Sequence, residues 1–236
     1  MPKQIIRSLV LVAVLVLGYF AARESFEAAQ PPPPPPTYQF LILGDSHTVP
    51  PHVVSSSHWP QQMIAIFREE NVLANDPLLI AEVGMQTEHL AVKVDNSEYI
   101  GKYDLVLLQS GGDDIVAGVD AETYRVKFAK LLVKARAVVE GDSSRVIVLS
   151  IPDWTAIQAK DVRNREKIRK KIDRFNEINE EESSNAAVRY INVTSLSRMA
   201  ADDIDFLSDD RKNPSDYMYE IWARKVFPVA LTALGR

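Results

Sequence analysis

Cysteine is absent from all 236 residues. That absence excludes disulfides, zinc–thiolate sites, iron–sulfur clusters, thiol nucleophiles and a lipobox acyl anchor. It does not fix the compartment, because many exported bacterial proteins have no disulfide. An excess of positive charge is also missing. The formal charge is −5 and the pI near 5.5, so no global basic field draws the chain to nucleic acid. The four histidines show no zinc spacing. No internal repeat is visible, and neither a metal nor a cofactor is expected. What remains is an ordinary globular composition, 46% hydrophobic and 25% charged, long enough for one α/β domain with a proper core.

The first 36 residues read as a targeting and tethering region. Lys3 and Arg7 precede an apolar run from Leu9 to Phe20 that Ala21 and Ala22 extend. Positive charge followed by an apolar core marks an export signal, with the positive flank on the cytoplasmic side. A full span needs about 20 apolar residues, which the run nearly reaches when counted back to Ile5. The bulk of Tyr19 and Phe20 makes a poor cleavage site, so residues 1–24 are expected to stay as a single inner-membrane anchor; cleavage would release the protein. Residues 25–37 form a linker in which Pro31 to Pro36 adopt polyproline II, a rod about 19 Å long at roughly 3.1 Å per residue. The folded domain is expected over 38–236, on the extracytoplasmic (periplasmic) side.

Within that domain strands alternate with helices. Strands are predicted at Tyr38–Leu43, Leu78–Val83, Asp104–Gln109, Arg145–Ile151 and Val188–Val193, and helices at Trp59–Glu70, Ala121–Glu140, Asp161 to about Glu182, and Ser215–Leu234. Such alternation implies right-handed crossovers and a parallel sheet covered on both faces. Ligands of such sheets bind beyond the carboxyl ends of the strands, which selects the loops starting at Gly44, Gly84, Ser110 and Ile151.

Those loops carry four blocks: Gly44-Asp45-Ser46-His47 after the first strand, Glu82-Val83-Gly84-Met85 after the second, Gly111-Gly112-Asp113-Asp114 after the third, and Asp210-Arg211-Lys212-Asn213-Pro214-Ser215 before the last helix. A serine on a strand-to-helix turn presents its hydroxyl at the sheet edge, with backbone N–H groups nearby for an oxyanion. In this order and these positions the blocks resemble the SGNH/GDSL hydrolases, over the whole domain from about Tyr38. The resemblance implies a flavodoxin-like three-layer α/β/α sandwich on a five-stranded parallel sheet, and cleavage of acyl esters, including acetyl groups on glycans or lipids. It places Ser46 as the nucleophile, Gly84 and the Ser46 N–H in the oxyanion hole, and Asp210 as the aspartate of the last block.

Two positions depart from the pattern. The family's Gly-x-Asn-Asp has Asp113 at its asparagine, and its Asp-x-x-His-Pro has Asn213 at its histidine. An amide cannot take the serine's proton near neutral pH. An ionised Asp113 would repel an oxyanion, although a carboxylate beside a hydroxyl can also act as a base. His47, Asp45, Asp114 and Trp154 are candidates to line the cleft; His52 and His58 lie in a loop that can fold over it, against the plainer expectation of solvated histidines. His89 reads as structural or exposed.

The basic stretch Lys160–Arg174 reads as a solvated helix face with pairs such as Glu166 with Lys170, or else as an edge that grips anionic polysaccharide or lipid headgroups. The acidic run Asp202–Asp210 lacks calcium-ligand spacing, and Trp59 and Trp222 are expected to pack. Two readings stay open: a membrane-tethered serine esterase, or a catalytically impaired relative that binds an acylated glycan, a lipid or a protein partner.

Overall fold

Five short apolar strands form one parallel sheet in the order β2-β1-β3-β4-β5: β1 (Phe40–Gly44), β2 (Leu78–Ala81), β3 (Leu105–Gln109), β4 (Val146–Leu149) and β5 (Arg189–Ile191). This computed structural model describes residues 16–20, 34–51, 53–95, 97–157, 164–208 and 213–236. The chain divides into two units, Met1–Pro36 and Thr37–Arg236. In the first unit residues 16–20 are helical; the rest of the expected anchor and the prolines Pro31 to Pro33 lie outside the described residues. Among the described residues no helix is long and apolar enough to cross a membrane.

The helices of the second unit are α1 (Trp59–Glu69), α2 (Thr87–Lys93), α3 (Gly112–Val116), α4 (Ala121–Val138), α5 (Trp154–Ile157), α6 (Arg165–Asn185), α7 (Thr194–Met199) and α8 (Asp216–Ala233). Alternation along each strand sends side chains to opposite faces. Phe40 and Ile42 of β1 face a core with Trp59, Met63 and Phe67 of α1 and Trp222 and Val226 of α8. Leu41 and Leu43 face the other core, with Tyr124, Phe128 and Leu131 of α4 and Phe175 and Ile178 of α6. The three expected layers are therefore present, and Trp59 and Trp222 are fully buried.

The expected strands are too long by one to three residues. β2 stops at Ala81 and β5 spans only Arg189–Ile191. Apolar residues continue past the last ladder hydrogen bond because they line the crevice or cap the core. Helix α6 begins at Arg165, after Asn164 in a left-handed conformation (φ +63°), and its Lys170–Glu166 pair (3.6 Å) joins two exposed side chains, so it adds little stability.

Strand order places the site. The chain leaves β1 into α1 on one face, whereas β3 feeds α3 and α4 on the other, so the adjacent β1 and β3 send their following segments apart. A crevice opens there, at the switch point of the sheet. On the β3 side it is shaped by Gly111, whose φ of +117° is glycine territory and where an added Cβ would lie 2.4 Å from the Tyr124 hydroxyl. Tyr124 is fixed in turn by bonds to Ser110 O (3.0 Å) and Asn179 Oδ1 (2.7 Å) and by stacking on Phe175 at 4.0 Å.

Strain and collision act together in Gly111→Ala. We expect a loss of at least about 2 kcal/mol in chemical denaturation; an unchanged midpoint would contradict this account of the turn.

Candidate active site

The turn after β1 is closed by Thr48, whose N–H donates to the Asp45 carbonyl at 3.0 Å and whose hydroxyl donates to Gln109 Oε1 at 3.2 Å. The same Gln109 oxygen accepts the Trp59 indole N–H (3.1 Å), and its amide donates to Ser150 O (3.2 Å). One buried amide thus ties β1, β3, β4 and α1 beneath the site.

Asp45 points inward. It is 1% exposed, and its Oδ2 accepts the N–H of Gly112 at 2.9 Å. Oδ1 accepts the His47 backbone N–H at 3.0 Å and meets His47 Nδ1 at 3.2 Å. Asp45 is therefore not a cleft residue, contrary to the expectation; it is the anchor beneath the cleft, because the tight turn leaves its side chain only an inward path.

Ser46 sits above it. Its hydroxyl donates to the Asp113 carboxylate, 2.8 Å from Oδ1 and 2.7 Å from Oδ2, and its backbone N–H reaches Oδ2 at 3.1 Å. The Gly84 N–H donates to Ser46 Oγ at 2.9 Å. Ser46, Gly84 and Asp113 therefore meet, with the carboxylate in an acceptor role where an asparagine amide would donate. Burial pushes the Asp113 carboxyl above the usual range and the Asp45 charge adds to this; the Ser46 bonds and His47 only partly offset them.

His47 lies against Trp154, ring centroids 5.2 Å apart, and its carbonyl accepts the Tyr219 hydroxyl at 3.3 Å. Burial lowers the basicity of its imidazole, but the Asp45 charge and hydrogen bond, with a smaller contribution from Asp113, outweigh burial and leave it raised. Trp154 opens α5 directly after Asp153, a fully buried carboxylate held by Arg198 Nε (2.9 Å) and Arg169 Nε (3.1 Å).

A cavity of about 250 Å³ is lined by Ser46, His47, Asp113, Trp154, Asn213 and Tyr219. Pro50, Pro51, Val83, Val116 and Pro214 complete a largely apolar wall. Asn213 thus reaches the cleft as expected, and its carbonyl accepts the N–H and hydroxyl of Ser208, both at 3.0 Å.

Other candidates do not reach the site. His58 is buried and not solvated, with Nε2 3.1 Å from Val53 O, and burial lowers its basicity despite that contact. It stands immediately before α1 and is not among the residues lining the Ser46 cavity. Asp114 is fully buried and grips Thr87 through the backbone N–H (2.8 Å) and hydroxyl (2.7 Å), so it fixes the start of α2 after the Gly84 loop and does not line the cleft. His89 is exposed, and His52 and Asp210 lie outside the described residues. Tyr219 and the two prolines were missed by the sequence reading, since nothing in an amphipathic helix or a Pro-Pro pair marks a cavity wall. Among the described residues no group of three or more His, Asp or Glu is placed to hold a metal ion.

No family model matches the sequence, and no curated protein matches it. Solved structures do. TesA aligns with a TM-score of 0.65 at 16% identity over 83% of this chain and 99% of that one. The lipase Lip_vut3 from a goat rumen metagenome gives 0.66 at 20% identity over 82% and 97%. A member of the lipolytic G-D-S-L family from Veillonella parvula gives 0.58 at 19% identity over 84% and 98%. The architecture is therefore the one these G-D-S-L lipolytic proteins share, as the motif order implied.

Asp45→Asn sets an amide N–H₂ against N–H donors in a buried site. We expect a loss of about 1–3 kcal/mol, measured by urea denaturation across pH. The imidazole's folded value is raised above its ordinary one, so its contribution is complete at pH below about 6.5 and fades as pH rises through the raised value. Wild type should lose that increment on the alkaline side, and the variant should not.

Proposed function

We propose that this chain is an ester hydrolase whose nucleophile is Ser46 and whose base is the Asp113 carboxylate. One observation carries this reading: the hydroxyl donates to that carboxylate at 2.7–2.8 Å, the reach a general base requires. As Oγ attacks the ester carbonyl, its proton passes to Asp113. The Gly84 N–H, already directed at Oγ, is the donor nearest the developing oxyanion. The carbonyl–alkoxide bond breaks, the proton taken by Asp113 passes in net to the departing alkoxide, and the alcohol leaves an acyl-Ser46 beside an ionised Asp113. Asp113, no longer occupied by the serine hydroxyl, accepts a proton from the water that hydrolyses it.

Magnitudes set the expected speed. Losing the base of a serine hydrolase has cost about a million-fold in turnover, and a positioned general base restores roughly a hundred- to ten-thousand-fold. The proposed enzyme is thus slower than one with an imidazole base by about a hundred- to ten-thousand-fold. The cavity's size and apolar lining favour a short acyl group. The apolar run and prolines of residues 1–36 support tethering outside the inner membrane as part of the same proposal.

A second reading is favoured by one contact. The Ser46 N–H is occupied by Asp113 Oδ2, which supports an impaired site that binds an acylated ligand without turning it over.

Hydrolysis of acetate esters by the purified protein separates the two readings. Ser46→Ala should fall to the uncatalysed rate and Asp113→Asn should lose at least about a hundred-fold in kcat. Asp113 acts ionised and its carboxyl is raised, so kcat/KM should climb as pH rises through a value above the ordinary 3.9 or so. That acid limb should vanish in Asp113→Asn. Turnover equal in wild type and Ser46→Ala would favour the binding protein.

A further inference from the structure

A carboxylate that takes the Ser46 proton becomes a carboxylic acid, itself able to protonate a departing alkoxide; a second acid in the same cavity allows the two proton transfers to be divided. Among the described residues lining the cavity, His47 is the sole basic side chain. Nδ1 is committed to the buried Asp45 at 3.2 Å, and Nε2, with no partner among the described residues, is the ring nitrogen left for a ligand. The ring is held from three further sides. Trp154 covers it, the Tyr219 hydroxyl fixes its backbone carbonyl, and Gly112 presses close enough that a Cβ there would lie 2.4 Å from Cε1 and 2.5 Å from Nδ1.

We propose that His47 is the general acid of this site, donating its Nε2 proton to the leaving alcohol while Asp113 accepts the proton of Ser46. This inference rests on the Ser46–Asp113 reading and divides between two residues what one imidazole does elsewhere. In acylation the Oγ–carbonyl bond forms, the Oγ proton goes to Asp113, the carbonyl–alkoxide bond breaks, and the alkoxide takes the proton of Nε2. That leaves a neutral imidazole beside a protonated Asp113, and one proton passing from carboxyl to imidazole resets both. In deacylation water adds to the acyl carbon and gives its proton to Asp113. The acyl–Oγ bond then breaks, and Oγ recovers a proton from Nε2.

The groups facing His47 are consistent with a cationic resting state. Asp45 from the β1 turn and Asp113 from α3 are acidic, whereas Trp154 from α5, Tyr219 from α8 and Asn213 before it carry no charge at neutral pH; the Tyr219 hydroxyl is held protonated by burial. The neighbouring carboxylates raise the imidazole, in agreement with the geometry.

The test compares two acetate esters that differ only in leaving group, an alkyl ester and a nitrophenyl ester, with the full chain and His47→Gln. An alkoxide needs a proton to leave and a nitrophenolate does not. We expect His47→Gln to lose about a hundred-fold or more in kcat/KM on the alkyl ester and less than about three-fold on the nitrophenyl ester. In wild type an alkaline limb should appear with the alkyl ester alone. Equal losses on both esters would overturn the proposal. Imidazole nitrogen NMR on wild type tests it without a variant or turnover: His47 should remain doubly protonated above pH 6.5 or so, and titration below that value overturns the general acid. Serine-independent turnover would instead refute the Ser46 reading, so the two failures stay distinct.

Discussion

Everything at the mouth of the sheet is arranged around the buried carboxylate of Asp45. With 1% of its surface exposed, it gathers the N–H groups of Gly112 and His47 and the His47 ring, and so joins the turn after β1 to the first turn of α3. These are the two segments that strand order sends to opposite faces of the sheet. Without that bridge the nucleophile and the carboxylate facing it would sit on separate, independently moving loops. The constraint is local in sequence on one side and 67 residues away on the other, which makes it a tertiary lock and not a property of the turn.

The lock also sets the electrostatics. Three carboxylates, Asp45 in the β1 turn and Asp113 and Asp114 in the first turn of α3, lie close together, and each meets a different fate. Asp45 is satisfied by N–H donors and an imidazole, and Asp114 is held through Oδ2 by Thr87, so that both serve positioning. Among the described residues Ser46 alone donates to Asp113, and burial together with the Asp45 charge makes its ionised form more basic than an ordinary aspartate. In the proposed reaction that extra basicity narrows the gap between a carboxylate and the imidazole missing from position 213.

Much of the architecture was legible in the chain. Short apolar runs, three closed by glycine turns and one by Pro152, marked five strands in the right places, and the spacing of apolar residues marked the principal helices, because both signals reflect burial on one or two faces. The block order led to the correct sheet edge, and Ser46, Gly84 and Asp113 do converge there. Side-chain direction was not legible. Nothing in Gly-Asp-Ser-His says that the aspartate turns down and the histidine turns back onto it, since that choice depends on a Gly112 that arrives from another strand. His58 misled for the same reason: a loop histidine looks solvated until the helix that follows it is packed into the core. Strand ends were overrun because an apolar cavity wall such as Val83 reads like the continuation of a strand.

The cavity wall has a thermodynamic character of its own. Pro50, Pro51 and Pro214 have almost no rotamer freedom, and the Trp154 and Tyr219 rings have little. A ligand entering between them therefore freezes few wall motions, so even weak contacts convert efficiently into occupancy. The same stiffness limits how far these side chains can rearrange to admit a bulkier guest. Discrimination at such a mouth works by exclusion: shape is judged before attraction, and a guest one branch too large is refused whatever its chemistry.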